Sequence, residues 1–295
     1  MKKRIIHFFI SCIILICTVT TICVIYIHST KIEYPWYFEK LRITNNQEYK
    51  SMDEIGIAIV DSGFNDNCQK YFENDIIEYD ATGEENNSDL TGHGTQMALL
   101  IGSNSNQKNS FYGINSNVQI YSIRVSNSFG ITTSEYLHNA LEYCKYIDIS
   151  IVNISLGGTT YNKEIQNDIK ELKANDVFVV CSSGDKKTNF LYPADYDDSY
   201  CIVAQNIDGS ISLDSNFISN IGKEPIKAPG VDIDVLVTGS EEKDYRIKRS
   251  GSSYATAIFT GYLSLCISGN RSLTPDFFDK KLELGIYEDN FLSLI

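Results

Sequence analysis

Five short runs rich in β-branched residues, spaced by helix-like segments, constrain this chain more than any other feature. They are IGIAIV (55–60), QIYSIRV (119–125), DISIVNIS (148–155), DVFVVCSS (176–183) and YCIVAQ (200–205). Their apolar character is almost continuous, as expected of parallel strands covered on both faces. Helix-like segments lie between and after them at 95–101, 133–146, 163–175 and 253–268. The segment at 133 opens with Thr/Ser followed by Glu135, an N-terminal helix pattern. Strands alternating with helices predict an α/β fold of three layers, doubly wound around a mostly parallel central sheet. In such sheets sites form beyond the carboxyl ends of the strands.

The chain has 295 residues, with 5 Pro and no Pro/Ser-rich linker, so one large domain, 55–295, is expected. Residues 31–54, with Pro35-Trp36-Tyr37-Phe38, read as a connecting arm. Residues 1–30 differ from the rest. Lys2, Lys3 and Arg4 precede an apolar run from Ile5 to Ile27 in which only His7 can carry charge. A helix crossing the hydrocarbon needs about 20 residues, whereas a signal-peptide core has roughly 7–15. The exit, His28-Ser29-Thr30-Lys31, has no small-residue cleavage pattern. Ile16 before Cys17 and Ile22 before Cys23 do not fit a lipoprotein signal. The expectation is an uncleaved, single-pass anchor with its basic end in the cytoplasm and the body outside the cell membrane.

The whole chain carries a formal net charge of −13. The only charges in its first thirty residues are three basic ones, so the remainder carries −16. Such a body repels phosphate backbones, and nucleic acid is excluded as a partner. Of the 8 Cys, three lie in the N-terminal run. The others, Cys68, Cys144, Cys181, Cys201 and Cys266, are odd in number and match no zinc spacing. Buried free thiols are the default reading, with a disulfide as the alternative.

Three segments carry chemistry. In IAIVDSGFND, Asp61 ends a strand ahead of Ser62-Gly63; alone it reads equally as a turn. In LTGHGTQMALLIG, His93 stands between two glycines at the start of an apolar helix. Glycines there let backbone approach closely and leave the imidazole presented; a structural histidine is the alternative. In RSGSSYATAIFTG, Ser253 opens a long apolar helix, where it could be an N-cap or sit beside unpaired backbone N–H groups that stabilise negative charge. A lipase-like elbow needs Gly-x-Ser-x-Gly, but Gly251-Ser252-Ser253-Tyr254-Ala255 lacks the final glycine, and the Asp…His…Ser order is wrong for it.

Together these blocks resemble the subtilisin-like serine peptidases. Asp61-Ser62-Gly63, His93-Gly94-Thr95 and Gly251-Ser252-Ser253-Tyr254-Ala255 stand in the family's order. Asn153-Ile154-Ser155-Leu156-Gly157-Gly158, Tyr192-Pro193-Ala194 and Ala228-Pro229-Gly230 are similar to further family runs. The resemblance covers roughly residues 33–282. It implies a subtilisin-like fold and a serine endopeptidase whose Ser253 attacks the carbonyl, His93 carries the proton and Asp61 orients the imidazole. It also implies that Ser155, Leu156, Gly157 and Gly158, with Gly130, Ile131 and Thr132, pair with an extended peptide or protein substrate.

The same alignment puts Asp185, in Ser182-Ser183-Gly184-Asp185, at the oxyanion position where the family has Asn. Counting from Gly184 and Tyr192 puts Lys186 at the mouth and Leu191 at the base of the pocket preceding the scissile bond. Small to medium, neutral or acidic side chains are expected there. A family proline is replaced by Ala257. Residues 28–54 are too few for the propeptide of secreted members. Residues 104–112, the counterpart of a calcium loop, have amides but no carboxylate, so no metal or other cofactor is expected. The expected protein is a monomer processing a secreted peptide precursor, such as a lanthipeptide leader. A peptide-binding pseudopeptidase on the same fold is the alternative.

Overall fold

The computed structural model describes residues 34–43, 53–84, 88–104, 113–185, 191–215, 224–238 and 244–283, together with Thr20. The chain divides into Met1–Tyr34 and Pro35–Ile295. The apolar run 5–27, Lys186, and most of 104–112 lie outside the described residues. Among the described residues no helix is long and apolar enough to cross a membrane.

Seven strands form one sheet in the order β2-β3-β1-β4-β5-β6-β7, every neighbouring pair parallel. They are β1 (Ile55–Asp61), β2 (Ile77–Asp80), β3 (Val118–Arg124), β4 (Ile151–Ile154), β5 (Phe178–Ser182), β6 (Tyr200–Gln205) and β7 (Ile226–Pro229). All residues of β4 and β5 are buried, the consequence of helices on both faces. Helices α1 (Trp36–Lys40), α2 (His93–Gly102), α3 (Ser134–Cys144), α4 (Lys163–Ala174), α5 (Ser252–Gly269) and α6 (Pro275–Glu283) complete the domain. A separate antiparallel pair joins β8 (Ile233–Thr238) to β9 (Asp244–Arg249).

Two apolar layers result. On one face Ile57 and Ile59 pack with Met97 and Leu100 of α2 and Ile258 and Leu265 of α5. On the other, Val60 and Val152 pack with Leu141 of α3 and Ile169 of α4. The five runs read as strands are strands, with narrower limits in two of them, 148–155 and 176–183. The run 148–155 contributes Ile151–Ile154, and ahead of it the Asp148 carbonyl closes onto Gly56, where a Cβ would lie 2.1 Å away. Thr133 caps α3, accepting from Tyr136 N–H at 3.2 Å. Within the arm at 31–54, Tyr37 and Phe38 are buried in the first layer.

α5 is buried along nearly its whole length despite its serines and threonines. Its hydroxyls find partners inside. Thr260 Oγ1 donates to Asn153 Oδ1 (2.9 Å), and Asn115 Nδ2 donates to Ser264 Oγ (2.9 Å). Asn153 in turn donates to Ser155 Oγ at 3.1 Å. A buried polar chain thus ties the carboxyl end of β4 to the helix that carries Ser253, and each link avoids the cost of an unsatisfied buried group.

Candidate active site

The carboxyl ends of β1, β4 and β5 bring Asp61, Ser155 and the Ser183–Asp185 turn to one edge of the sheet, where α2 and α5 begin. Asp61 is buried. Its carboxylate accepts the Ser62 N–H at 2.8 Å and faces His93 Nδ1 at 2.8 Å (Oδ1) and 3.0 Å (Oδ2). An ionised carboxylate only accepts, so Nδ1 carries the proton and Nε2 is left as a base. Chiefly the Asp61 charge raises the imidazole above its ordinary range; burial opposes this, and Asp89 and Asp185 add to the rise.

The first turn of α2 presses directly on β1. A Cβ at Gly94 would lie 2.4 Å from the Gly63 carbonyl oxygen, so glycine is required for this approach. Gly92, at the N-cap, has no side chain to cap the helix. Asp89, which the sequence reading did not single out, does so instead. Its Oδ1 accepts from Thr91 N–H (3.0 Å) and Gly92 N–H (2.8 Å). Its Oδ2 accepts from Thr95 N–H (2.9 Å) and Thr95 Oγ1 (2.8 Å). Ser62 Oγ lies 2.8 Å from Asp89 Oδ1 and 3.2 Å from Asp61 Oδ1, and accepts from Gly94 N–H at 3.0 Å. His93 is therefore fixed at both backbone and ring. The available signal was an Asp shortly before a helix start, a common capping position.

Ser253 stands in the first turn of α5, half-buried. Its hydroxyl donates to the Ser155 carbonyl at 3.2 Å. The following residue, Tyr254, sets its ring edgewise to the His93 ring, with centroids 6.1 Å apart. Asp61, His93 and Ser253 are thus gathered at one place from segments far apart in sequence.

Asp185 joins them at the head of α5. Its Oδ1 accepts the Ser252 N–H at 2.6 Å, and a Cβ on Gly251 would lie 2.7 Å from its Oδ2. Gly184 N–H donates to Ser252 Oγ at 3.0 Å. The Asp185 side chain, expected at the oxyanion position, caps α5 one residue before Ser253 through its Oδ1. The reason is the helix terminus itself, whose unpaired N–H groups attract a negative charge.

The expected substrate edges are narrower than the sequence suggested. Gly158 exchanges both backbone bonds with Tyr192 (2.9 and 2.8 Å), whereas Leu156 and Gly157 make no backbone hydrogen bond among the described residues. Leu191 lies against Gly157, where a Cβ would meet its Cγ at 2.8 Å. On the other side, Gly130, Ile131 and Thr132 are exposed. Ile131 is already engaged, its N–H on Asn127 Oδ1 (2.9 Å) and its carbonyl on Asn127 N–H (3.0 Å). Glu84, paired with the buried Arg124 at 2.9 Å, accepts the Ser128 N–H at 2.8 Å and so holds this turn to the sheet.

None of the five described cysteines forms a disulfide; Cys201 is half-buried and the others are buried. Among the described residues, His138, Glu142 and Asp168 bring potential ligand atoms within 4.8 Å of one another. Lys145 Nζ already stands among them, 2.5 Å from Glu142 and 2.9 Å from Asp168, and makes the cluster an ion-pair network.

A carboxylate, an imidazole and a serine hydroxyl at the carboxyl edge of a parallel sheet are the residue set of serine hydrolases. The match is more specific than that. Residues 52–282 match the subtilase family, and the chain belongs to it. It is 28% identical over 160 residues to subtilisin DY of Bacillus licheniformis, across 52% of this chain and 56% of that protein. It is 29% identical over 201 residues to an intracellular serine protease of Paenibacillus polymyxa (66% and 59%). It is 28% identical over 244 residues to the major intracellular serine protease of Bacillus subtilis (77% and 72%). The chain thus spans less than two thirds of the length of the first two. Among solved structures, a mutant of the protease domain of PatA matches with a TM-score of 0.65 at 22% identity, over 76% of this chain and 84% of that one. At that identity the likeness is one of fold.

Proposed function

We propose that this chain is a serine endopeptidase that cleaves peptide bonds outside a membrane to which residues 5–27 anchor it. The observation that carries the chemistry is the Asp61–His93 pair at 2.8 Å, with the α5 turn that holds Ser253 beside it through the contact of Tyr254 with the His93 ring. Ser253 Oγ rotates from the Ser155 carbonyl towards His93 Nε2, loses its proton there and adds to the scissile carbonyl. His93 passes that proton to the leaving amine. Asp61 keeps the ring in the Nδ1–H tautomer and stabilises the imidazolium. The backbone N–H of Ser253 is placed to meet the developing oxyanion at the positive end of α5. Leu156 and Gly157 offer the open backbone against which an extended substrate lies. The chain acts as a monomer.

The relatives named as serine proteases support the activity, and the 23-residue apolar run behind Lys2, Lys3 and Arg4 supports the anchor. A dedicated processing role, such as removal of a leader from a secreted lanthipeptide precursor, fits a small anchored peptidase. A fluorophosphonate probe on intact cells tests both parts. Labelling of Ser253 on a membrane-retained chain that external protease degrades is the expected result. A soluble form beginning near residue 30 removes the anchor from the reading. The Asp185 carboxylate beside Ser253 favours one second reading, a peptide-binding pseudopeptidase, which binds peptide but takes no label.

A further inference from the structure

Tyr254 follows Ser253 in the first turn of α5, yet its side chain reaches α2. The phenol donates to Gln96 Oε1 at 3.2 Å, and Gln96 lies one turn beyond His93 on the same helix. The Tyr254 ring meets the His93 ring edgewise, 6.1 Å between centroids at an interplanar angle of 62°, within the range of favourable aromatic pairs. Tyr254 is 9% exposed, and burial first of all raises its hydroxyl above the ordinary value, so it is a proton donor. Asp61 holds the imidazole at one edge, through Nδ1. The Tyr254 ring packs edgewise against the same imidazole.

We infer that Tyr254 is a positioning residue: its ring confines the His93 imidazole, and its hydroxyl, through Gln96, locks the first turn of α2 to the first turn of α5. The brace sets base and nucleophile in register independently of Asp61. The inference rests on the reading of His93 as the base. The joint cannot be read from either motif alone, because Gln96 and Tyr254 are 158 residues apart.

The test uses the full-length protein in detergent, labelled with ¹⁵N-histidine. Two quantities are followed: solvent exchange of the His93 Nδ1 proton by NMR, and the rate of fluorophosphonate labelling. Tyr254→Phe keeps the ring and removes the hydroxyl. Labelling should slow by about 3–10-fold, the range for loss of one hydrogen bond. Gln96→Leu should slow it by the same factor. The double variant should be no slower than the worse single one, because both remove one interaction. Tyr254→Ala opens the wall, and labelling should fall by about 30-fold or more as the base loses its placement. Its Nδ1 proton should exchange too fast to observe, while Tyr254→Phe retains the resonance. Single-variant losses that multiply, or an Nδ1 resonance in Tyr254→Ala like that of the wild type, would overturn the inference. A wild type that takes no label refutes the peptidase reading instead, and the exchange measurement still decides the brace.

Discussion

Replacing Asp185 by Asn probes the most unusual feature of the site. The carboxylate accepts the Ser252 N–H at 2.6 Å, so it lies one peptide unit from the N–H of Ser253, which in the proposed mechanism meets the oxyanion. Two unit negative charges about 5 Å apart repel by roughly 3 kcal/mol at an effective dielectric near 20. A missing oxyanion donor costs a further 3 kcal/mol or so. Asn keeps an acceptor oxygen for Ser252, removes the charge and supplies an NH₂ donor. The loss of an anionic cap at the α5 terminus opposes this, at about 0.5–1 kcal/mol of stability, or roughly 1–4 °C in Tm. The expected outcome is fluorophosphonate labelling, and hydrolysis of any peptide the wild type cleaves, faster by about 10–100-fold at neutral pH, part of the calculated gain being lost to imperfect donor geometry. Asp185→Ala relieves the charge without adding a donor and should fall between the two. Rates in Asp185→Asn unchanged within about twofold, with Tm also unchanged, would mean that no charge develops near Asp185 and would refute this reasoning.

Ser253→Ala should abolish labelling, and His93→Ala should reduce it by a factor on the order of 10⁶, because the members of a triad act as a unit; label surviving Ser253→Ala would show another nucleophile. Asp61 raises the His93 pKa, and only the neutral ring can accept a proton, so the labelling rate should climb with pH through a midpoint above the ordinary histidine value. In Asp61→Asn that midpoint should move down, along with a fall in rate of about 10⁴-fold. Thr260→Val strands Asn153 Oδ1 in the core and should lower Tm by about 2–10 °C, corresponding to roughly 1–3 kcal/mol. His138 is raised mainly by its hydrogen bond to Asp168, with Glu142 and Glu164 nearby. A raised pKa in the folded state contributes below the unfolded value and is lost as pH rises through the folded one. His138→Ala should therefore cost up to about 1 kcal/mol near pH 5 and almost nothing above pH 8, read as a Tm difference that closes with pH.

The core strands and the three reacting residues were readable because each depends on local order. Continuous β-branched runs such as 55–60 and 200–205 suit only strands covered on both faces, and this alone required helices above and below a parallel sheet. Gly92, with its φ of +77°, and Gly94 around His93, and Gly251 before Ser253, mark helix starts; at Gly94 and Gly251 a Cβ would collide with the partner that the tertiary structure brings up. β8 and β9 escaped notice because their pairing is with each other outside the main sheet, and β9 alternates charged and apolar residues with no buried face to impose a pattern.

What the sequence by itself determined was the layer architecture and the identity of the chemical groups, since periodicity and residue type are properties of short segments. Tertiary structure alone decided how those groups are engaged. Asp185 became a cap because the turn after β5 delivers it to the α5 terminus, 67 residues further along the chain. Asp89 became the support of the His93 helix because a bridge between Phe64 and Ser88 holds it beside β1. Ile131, a candidate for pairing with substrate, is engaged by Asn127 in its own turn. In each case the outcome depends on which acceptor and which donor, distant in sequence, arrive within about 3 Å of one another, a matter of chain geometry that no local pattern encodes.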